Sequence, residues 1–492
     1  MSVDTDNAAF QDALNLIQYT RQSVFLTGKA GTGKSTFLRY VCEHTKKKYV
    51  VLAPTGIAAI NAGGSTMHSF FKLPFYPLLP DDPNLSLQRG RIHEFFKYTK
   101  PHRKLLEQIE LIIIDEISMV RADIIDAIDR ILRVYSHNLR EPFGGKQLLL
   151  VGDVFQLEPV VKNDEREILN RFYPTPYFFS ARVFGQIDLV SIELQKVYRQ
   201  TDPVFVGVLD HIRTNTAGAA DLQLLNTRYG SQIEESEADM YITLATRRDT
   251  VDSINEKKLA ELPGESITFE GVIEGDFPES SLPTSQELVL KPGAQIIFIK
   301  NDFDRRWVNG TIGVIAGIDE EEETIYVITD DGKECDVKRD SWRNIRYRYN
   351  EKTKEIEEEV LGSFTQYPIR LAWAITVHKS QGLTFSRVVI DFTGGVFAGG
   401  QAYVALSRCT SLDGIQLKKP INRADIFVRP EIVNFAGRFN NRQAIDKALK
   451  QAQADVQYAA AARAFNKGDM EECLEQFFRA IHSRYDIEKP VP

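Results

Sequence analysis

The stretch Gly28-Lys-Ala-Gly-Thr-Gly-Lys34-Ser35 fits the phosphate-binding pattern G-x-x-x-x-G-K-S/T in every position. Gly28, Gly31 and Gly33 let backbone N–H groups close on phosphate oxygens at the positive end of a helix. Lys34 supplies a cation and the Ser35 hydroxyl suits Mg²⁺, with Ala30, Thr32 and Thr36 expected to complete the wall around a nucleoside triphosphate. Farther along, Leu111-Ile-Ile-Ile-Asp115-Glu116 ends an apolar run in two carboxylates. In that arrangement Asp115 is the metal candidate and Glu116 the base that activates water. The segment Val151-Gly-Asp153-Val-Phe-Gln156 is expected to carry an amide toward the γ-phosphate, where Gln156 senses phosphate or orients water. Hydrolysis of a nucleoside triphosphate is the chemistry these residues can do together.

Such groups work only at the ends of strands, and the sequence supplies the strands. Ser23-Val-Phe-Leu-Thr27, Tyr49-Val-Val-Leu-Ala53, Leu111–Ile114 and Gln147–Val151 are short continuous apolar runs, suited to a parallel sheet covered on both faces. Ser35-Thr-Phe-Leu-Arg-Tyr-Val41 has the apolar spacing of a helix, so strand, glycine loop and helix stand in order. A second α/β set starts near Asp188, with Tyr241-Ile-Thr-Leu-Ala245 and Arg387-Val-Val-Ile-Asp391 as its buried strands. From Leu73 to Tyr98 a Pro- and aromatic-rich stretch interrupts the first set and reads as a small insertion.

Between Ser281 and Gly362 the pattern turns to β-hairpins, with Gln295-Ile-Ile-Phe-Ile299, Asn309-Gly310, Thr324-Ile-Tyr-Val-Ile328 and Asp331-Gly332. It predicts a small β-barrel inserted in the second set. Beyond Arg438 the composition is Ala-, Gln- and Glu-rich, and Ala459 to Ile481 resembles one tetratricopeptide helix pair. One pair cannot build a solenoid, so it is expected to pack on the core or on a protein partner.

At 492 residues the chain holds roughly three or four modules. Its net charge of −8, from 60 basic and 68 acidic residues, excludes a wholesale basic coat, so any nucleic-acid groove must concentrate its cations. The four cysteines lie far apart with no C-x-x-C pair, which argues against a zinc module or a disulfide framework. No run of about 20 apolar residues is present, and no charged n-region precedes an apolar segment. The expectation is an intracellular, cytoplasmic protein with no membrane association, nucleoid-associated in a bacterium.

Eight motifs in order resemble those of superfamily-one DNA helicases: Gly28–Ser35, Ala53-Pro-Thr-Gly-Ile-Ala-Ala59, Thr66-Met-His-Ser-Phe70, Asp115-Glu-Ile-Ser118, Gly152–Gln156, Val197-Tyr-Arg199-Gln, Thr376-Val-His-Lys-Ser-Gln-Gly382 and Ala405-Leu-Ser-Arg408. The segment Ile117 to Asp129 resembles the signature of the Pif-type group, in subgroup B of that superfamily, and Leu290-Lys-Pro-Gly-Ala-Gln295 with Val308-Asn-Gly310 is similar to the start of its inserted barrel.

The resemblance implies an α/β fold of two RecA-like P-loop domains, with a small insertion in the first, a small β-barrel inserted in the second, and C-terminal helices. The divisions expected are 1–72 and 99–188 for the first domain, 73–98 for a wedge-like insertion, 189–282 and 364–437 for the second domain, 283–363 for the barrel and 438–492 for the terminal helices. Arg199 and Arg408 match arginine fingers, which suit the role because a planar permanent cation pairs phosphate oxygens in two places. Gln11, after Phe10, matches the glutamine that reads adenine, with Gln18 nearby. Thr55, Gly56, Thr66, His68 and Phe70 in the first domain, and Thr376, His378, Lys379, Ser380 and Gln381 in the second, match positions on the DNA path. Phosphate contacts of that kind position a strand without reading its bases. Phe70, Phe75, Tyr76 and Trp307 are candidate base platforms, and Arg346 with Arg348 form a candidate basic stripe at period two.

The implied activity is ATP- and Mg²⁺-dependent unwinding, with 5′→3′ movement on single-stranded DNA and tailed duplex as substrate, G-quadruplexes and RNA–DNA hybrids being further family substrates. The expected working form is a monomer. Rival readings are a translocase that strips proteins from single strands, a recombination-nuclease subunit, and a nucleotide-gated DNA-binding scaffold.

Overall fold

The computed structural model describes residues 4–86, 91–200, 202–230 and 240–484. Strands β1 (Val24–Gly28), β2 (Tyr49–Ala53), β3 (Ser65–Thr66), β4 (Leu111–Ile114), β5 (Gln147–Val151) and β6 (Val190–Leu194) form one parallel sheet in the order β3-β2-β4-β5-β1-β6. The continuous apolar runs are buried on both faces, as parallel strands under helical layers require. In such sheets ligands bind beyond the carboxyl ends of the strands. The phosphate loop follows β1, Asp115 follows β4 and Gln156 follows β5, so the sheet alone gathers the first lobe's chemistry. Four helices serve that edge: α1 (Ala8–Tyr19), α2 (Lys34–His44), α3 (Gly56–Ala62) and α4 (Met67–Phe71).

The sheet of the second lobe opens with β7 (Ile242–Ala245) and is interrupted by a β unit of ten strands among the described residues. These are β8 (Ile267–Glu270), β9 (Val272–Gly275), β10 (Glu287–Leu290), β11 (Gln295–Phe298), β12 (Ile312–Asp319), β13 (Thr324–Thr329), β14 (Glu334–Val337), β15 (Asp340–Asn350), β16 (Glu355–Gln366) and β17 (Ile369–Leu371). They divide into sheets β14-β13-β12-β11-β17, β15-β16-β9 and β10-β8. Because β8 pairs with β10 and β9 with β16, the unit runs from Ile267 to Leu371, wider than 283–363. Asp331-Gly332 makes the tight turn between β13 and β14, whereas Asn309-Gly310 sits in a long loop between β11 and β12. The lobe resumes with β18 (Ala374–Thr376), β19 (Val388–Asp391) and β20 (Ile415–Leu417), giving the parallel order β18-β7-β19-β20.

The β15–β16 hairpin and the chain from Pro430 onward cross between these bodies, whereas the insertion stays with the first. The 73–98 insertion is welded to the first core through buried Leu78, Leu85, Ile92, Phe96 and Tyr98, while Phe75 and Tyr76 project; its residues 87–90 lie outside the described residues. The β15–β16 hairpin lays Tyr347 and Tyr349 onto the first core, where the Val51 amide donates to Tyr347 Oη at 3.3 Å. The helix Pro430–Ala436 returns from the second lobe and places Phe435 4.4 Å from Phe179 and 5.6 Å from Phe25 in β1. The following helix Arg442–Lys467 packs Ile445 and Ala448 beside α1, then pairs with the helix Met470–Arg484. Among the described residues no helix is long and apolar enough to cross a membrane.

Candidate functional site

The phosphate loop is closed from two sides. Gly31 stands at φ 80°, a left-handed conformation, and a Cβ there would lie 2.4 Å from Arg199 Cβ. Only glycine lets the Arg199 segment press so close, and the Tyr198 amide donates to Gly31 O at 2.9 Å. Gly33 caps α2 from the left-handed region at φ 89°, and its carbonyl accepts the Phe37 amide at 2.9 Å. Space is not what demands glycine at Gly33, since a Cβ there would meet only Tyr198 Cε2 at 3.9 Å; the demand comes from the backbone angle that turns the loop into the helix.

Lys34 curls over the loop and donates to Gly28 O at 2.7 Å and Lys29 O at 3.0 Å. Burial lowers the Lys34 pKa, opposed by the carboxylates of Asp153 and Glu116. The Ser35 side chain is exposed in the first turn of α2, Thr36 is half-buried, and Thr32 is buried with its hydroxyl donating to Lys29 O at 2.9 Å. From the other side, the Ala30 amide donates to Tyr403 Oη at 3.0 Å. Tyr403 lies in the helix Gln401–Leu406 of the second lobe.

The acidic pair follows β4. Asp115 Oδ1 accepts the Glu116 amide at 2.9 Å, and burial raises its pKa. Glu116 sits at φ 51°, a strained backbone for a residue with a Cβ, of the kind that clusters at working sites. Burial, and after it repulsion from Asp115, raises Glu116 to about 7, with Lys34 and Arg408 pulling the other way. A carboxylate tuned there has the basicity a general base needs near neutral pH.

Arg408 is 2% exposed, donating from Nε to Val404 O at 3.1 Å and from Nη1 to Leu383 O at 3.3 Å. Burial, then the neighbouring Arg199 charge, lowers it to about 9, so the two guanidiniums share one locality. Arg199 donates to Ser407 O at 3.2 Å, and burial lowers its pKa too. Cations from the second lobe thus converge on carboxylates and a lysine of the first.

Gln156 is buried, its Nε2 3.4 Å from Asp153 Oδ2. Asp153 in turn accepts from Arg213 at 3.0 and 3.3 Å, and Arg213 also donates to Glu193 at 2.8 Å and lies 4.4 Å over the Phe155 ring. Arg213 ends the second-lobe helix Pro203–Arg213, so this buried ion pair ties the Gln156 segment across the lobes. Asp153, Arg213 and Tyr403 are site residues that sequence reasoning did not single out. Asp153 and Tyr403 stood inside or beside quoted motifs, whereas Arg213 carries no local signal at all.

Gln11 donates to Thr5 O at 2.7 Å, in a segment whose Asp4 accepts from Tyr198 Oη at 2.8 Å. Phe10 packs edge-on against Phe37 at 4.9 Å and Tyr40 at 5.5 Å, fixing α1 on the phosphate-loop helix. Gln18 is half-buried, on the same helix.

On the expected DNA path, Thr55, Thr66 and Thr376 accept the amides of Ala58, Ser69 and Lys379 at 3.2, 3.1 and 3.2 Å. Capping uses a hydroxyl lone pair and leaves the O–H free to donate to a phosphate. Gly56 lies against the β unit, where a Cβ would meet Ser281 Oγ at 2.5 Å. His68 stacks on Phe75 at 5.0 Å, and burial lowers its pKa, as it does that of His378. Lys379 is exposed, and Gln381 Nε2 is buried without a partner.

Four expectations change. Ser380 is fully buried, its hydroxyl turned inward to Val377 O at 2.8 Å, so it does not face a strand. Phe70 is 4% exposed and packed edge-on against Phe71 at 4.8 Å, so it is core and not a base platform. Trp307 is stacked on Phe298 at 4.3 Å with Arg306 over it. The Arg346–Arg348 stripe faces the acidic strand β16, with Arg346 paired to Glu359 at 2.8 Å and Arg348 in register with Glu357. Phe75 and Tyr76 keep their exposed faces. Thr246, at the end of β7, was missed; its Oγ1 is buried without a partner.

A family model described as PIF1-like helicase matches residues 4–207. The ATP-dependent DNA helicase Pif1 of Campylobacter jejuni is 34% identical over 412 residues, covering 80% of this chain and 88% of its own. The structure of Bacteroides sp Pif1 in complex with ADP-AlF4 shares 42% identity at a TM-score of 0.80, over 87% of this chain and 96% of that one. Bacteroides Pif1 bound to ssDNA shares 41% identity at a TM-score of 0.63, over 90% of this chain and 99% of that one. The chain spans 60% of the length of the Emericella nidulans relative, ATP-dependent DNA helicase PIF1, which is 32% identical over 84% of this chain.

Proposed function

The chain belongs to the PIF1-like helicase family, and we infer that it is an ATP-hydrolysing DNA helicase which tracks 5′→3′ on single-stranded DNA and opens the duplex ahead. The observation that carries this reading is the meeting of the lobes at one phosphate loop, with Tyr403 on the Ala30 amide, Arg408 beside Glu116, and Arg199 beside Arg408 and Lys34. Direction is carried by the family alone.

ATP seated on the loop would draw Lys34 from its carbonyl partners onto phosphate oxygens. Mg²⁺ would be held by the Ser35 hydroxyl and the Asp115 carboxylate, hard oxygen donors of the kind it takes beside phosphates, and would neutralise their charge. Glu116 takes the proton of the attacking water and Gln156 orients that water. Arg199 and Arg408 stabilise charge as it develops, an effect that arginine supplies in phosphoryl transfer. Because the arginines and the base lie on different lobes, hydrolysis and product release change what holds the lobes together. A strand held at Thr66 and Thr376 would then be stepped.

Unliganded Bacteroides sp Pif1 resembles this chain more, at a TM-score of 0.78, than the ssDNA-bound structure does at 0.63, which favours a rearrangement of the lobes when a strand enters. Projecting Phe75 and Tyr76 suit the insertion to strand separation. Both walls of the ATP cleft come from one chain, so a monomer suffices as motor. The outer stripe Leu474, Phe477 and Phe478 on the last helix is what a protein partner would cover.

The test uses partial duplexes with a single 5′ or 3′ tail. Opening only with a 5′ tail is expected. Opening only with a 3′ tail reverses the direction, and strand-stimulated hydrolysis with neither substrate opened favours a protein-stripping translocase.

A further inference from the structure

The β unit carries a side chain that its own fold does not use. Phe303 is 98% exposed, more than any other large apolar side chain among the described residues. Singly exposed apolar residues are common and need no function. Here, however, the loop that presents it is built to stay in place. Asn301 Oδ1 accepts the Asn309 amide at 2.7 Å, closing the loop, and the Arg305 amide donates to Asp302 O at 3.2 Å, closing a turn with Phe303 at its second position. Arg306 grips Asp302 through Nε at 3.1 Å and Nη2 at 2.8 Å, reaches Asp336 at 2.8 Å, and lies 4.6 Å over the Trp307 ring. Arg305 holds φ 61°, a conformation that costs an ordinary residue energy and persists only where its surroundings fix it.

The loop also has a telling neighbour. Gly310 at its end passes against the segment just after the Thr376–Gln381 turn, where a Cβ would meet Leu383 at 3.5 Å and the Thr384 amide nitrogen at 3.7 Å. The Leu383 carbonyl is the acceptor of Arg408 Nη1. One short segment therefore touches both the arginine of the ATP cleft and the root of the Phe303 loop.

We propose that Phe303 is a stacking platform for one nucleobase of the bound single strand, placed beside the second-lobe phosphate turn. The proposal rests on the helicase reading. A flat ring exposed on a fixed support offers a face that any base can cover, which gives affinity without sequence preference. Of the loop's cations, Lys300 is paired with Asp340 at 2.7 Å and Arg306 with Asp302 and Asp336, each at 2.8 Å. Exposed Arg305 is left to meet a phosphate beside the stacked base. Through Leu383, the platform would shift when Arg408 engages ATP.

The experiment measures binding of the full chain to a labelled oligothymidylate by fluorescence anisotropy, with thermal unfolding as the folding control. Phe303→Ala should weaken binding roughly tenfold. Phe303→Leu, apolar but not flat, should weaken it similarly. Phe303→Trp should retain affinity and add a fluorescence signal, above that of the three native tryptophans, that DNA quenches. Wild-type affinity in Phe303→Ala or Phe303→Leu, or an unquenched Phe303→Trp, overturns the platform. If the wild-type chain itself fails to bind the oligonucleotide, the helicase reading fails instead.

Discussion

The two lobes each carry a Thr-x-His turn at the same place in a sheet. In the first, Ala53 of β2 pairs with Thr66 of β3; in the second, Ala245 of β7 pairs with Thr376 of β18. In both, the threonine accepts the amide three residues on, and a half-buried histidine follows two residues later. The surroundings differ. His68 is stacked on Phe75, whereas His378 has no such ring partner among the described residues, and beside the second turn Thr246 Oγ1 and Gln381 Nε2 are buried without partners. Buried polar groups normally find a partner, so the second turn is the less complete of two equivalent seats. The lobes diverge further in their chemistry: one holds the phosphate loop and the carboxylates, the other lends arginines. Two equivalent turns set in unequal chemistry fit the proposed stepping motor, in which two grips alternate while hydrolysis happens once.

The sharpest test of that division is Arg408→Ala, which should cut hydrolysis by about 10³-fold or more while ATP still binds; near-normal turnover would remove the second lobe from the chemistry. Glu116→Gln comes next, with a loss of about 10²–10⁴-fold in turnover and ATP binding kept.

The pH profile follows from the same group. A base raised to about 7 is protonated and inactive below that value, so kcat/KM for ATP should fall about tenfold per unit on the acid side and level off above it. A flat profile from pH 6 to 8 would mean that Glu116 is not the base.

Thr66→Ala and Thr376→Ala compare the grips directly. If each hydroxyl holds one phosphate, each variant should weaken single-strand binding about fivefold and leave the salt slope of binding unchanged, because a threonine carries no charge; a loss of affinity in only one variant breaks the equivalence. The smallest effect belongs to Arg346→Ala with Arg348→Ala, which should leave the slope unchanged because these arginines face the acidic strand.

Much of the first lobe was legible because its signals are local. A glycine loop, a strand ending in Asp115 and Glu116 and an amide at Gln156 each announce themselves within ten residues. The threonine turns were legible for the same reason. Phe70 and Ser380 misled because a motif position does not reveal which way a side chain faces: one packs into the aromatic core and the other bonds its own turn. The basic stripe misled because period-two spacing says nothing of the partner strand. Arg213 was invisible, since its partners Asp153 and Glu193 stand 60 and 20 residues away.

By itself, the sequence determined the nucleotide chemistry, the order of the α/β elements, the inserted β unit and the family resemblance, because each is written in short patterns of glycine, charge and apolar spacing. Only the tertiary structure decided that Tyr403 reaches the phosphate loop, that Arg408 and Arg199 share one locality, that Arg213 clamps Asp153 and that Phe303 stands out on a braced loop. Those facts depend on distances between residues far apart in the chain. Packing of the two lobes sets those distances, and no local pattern encodes them.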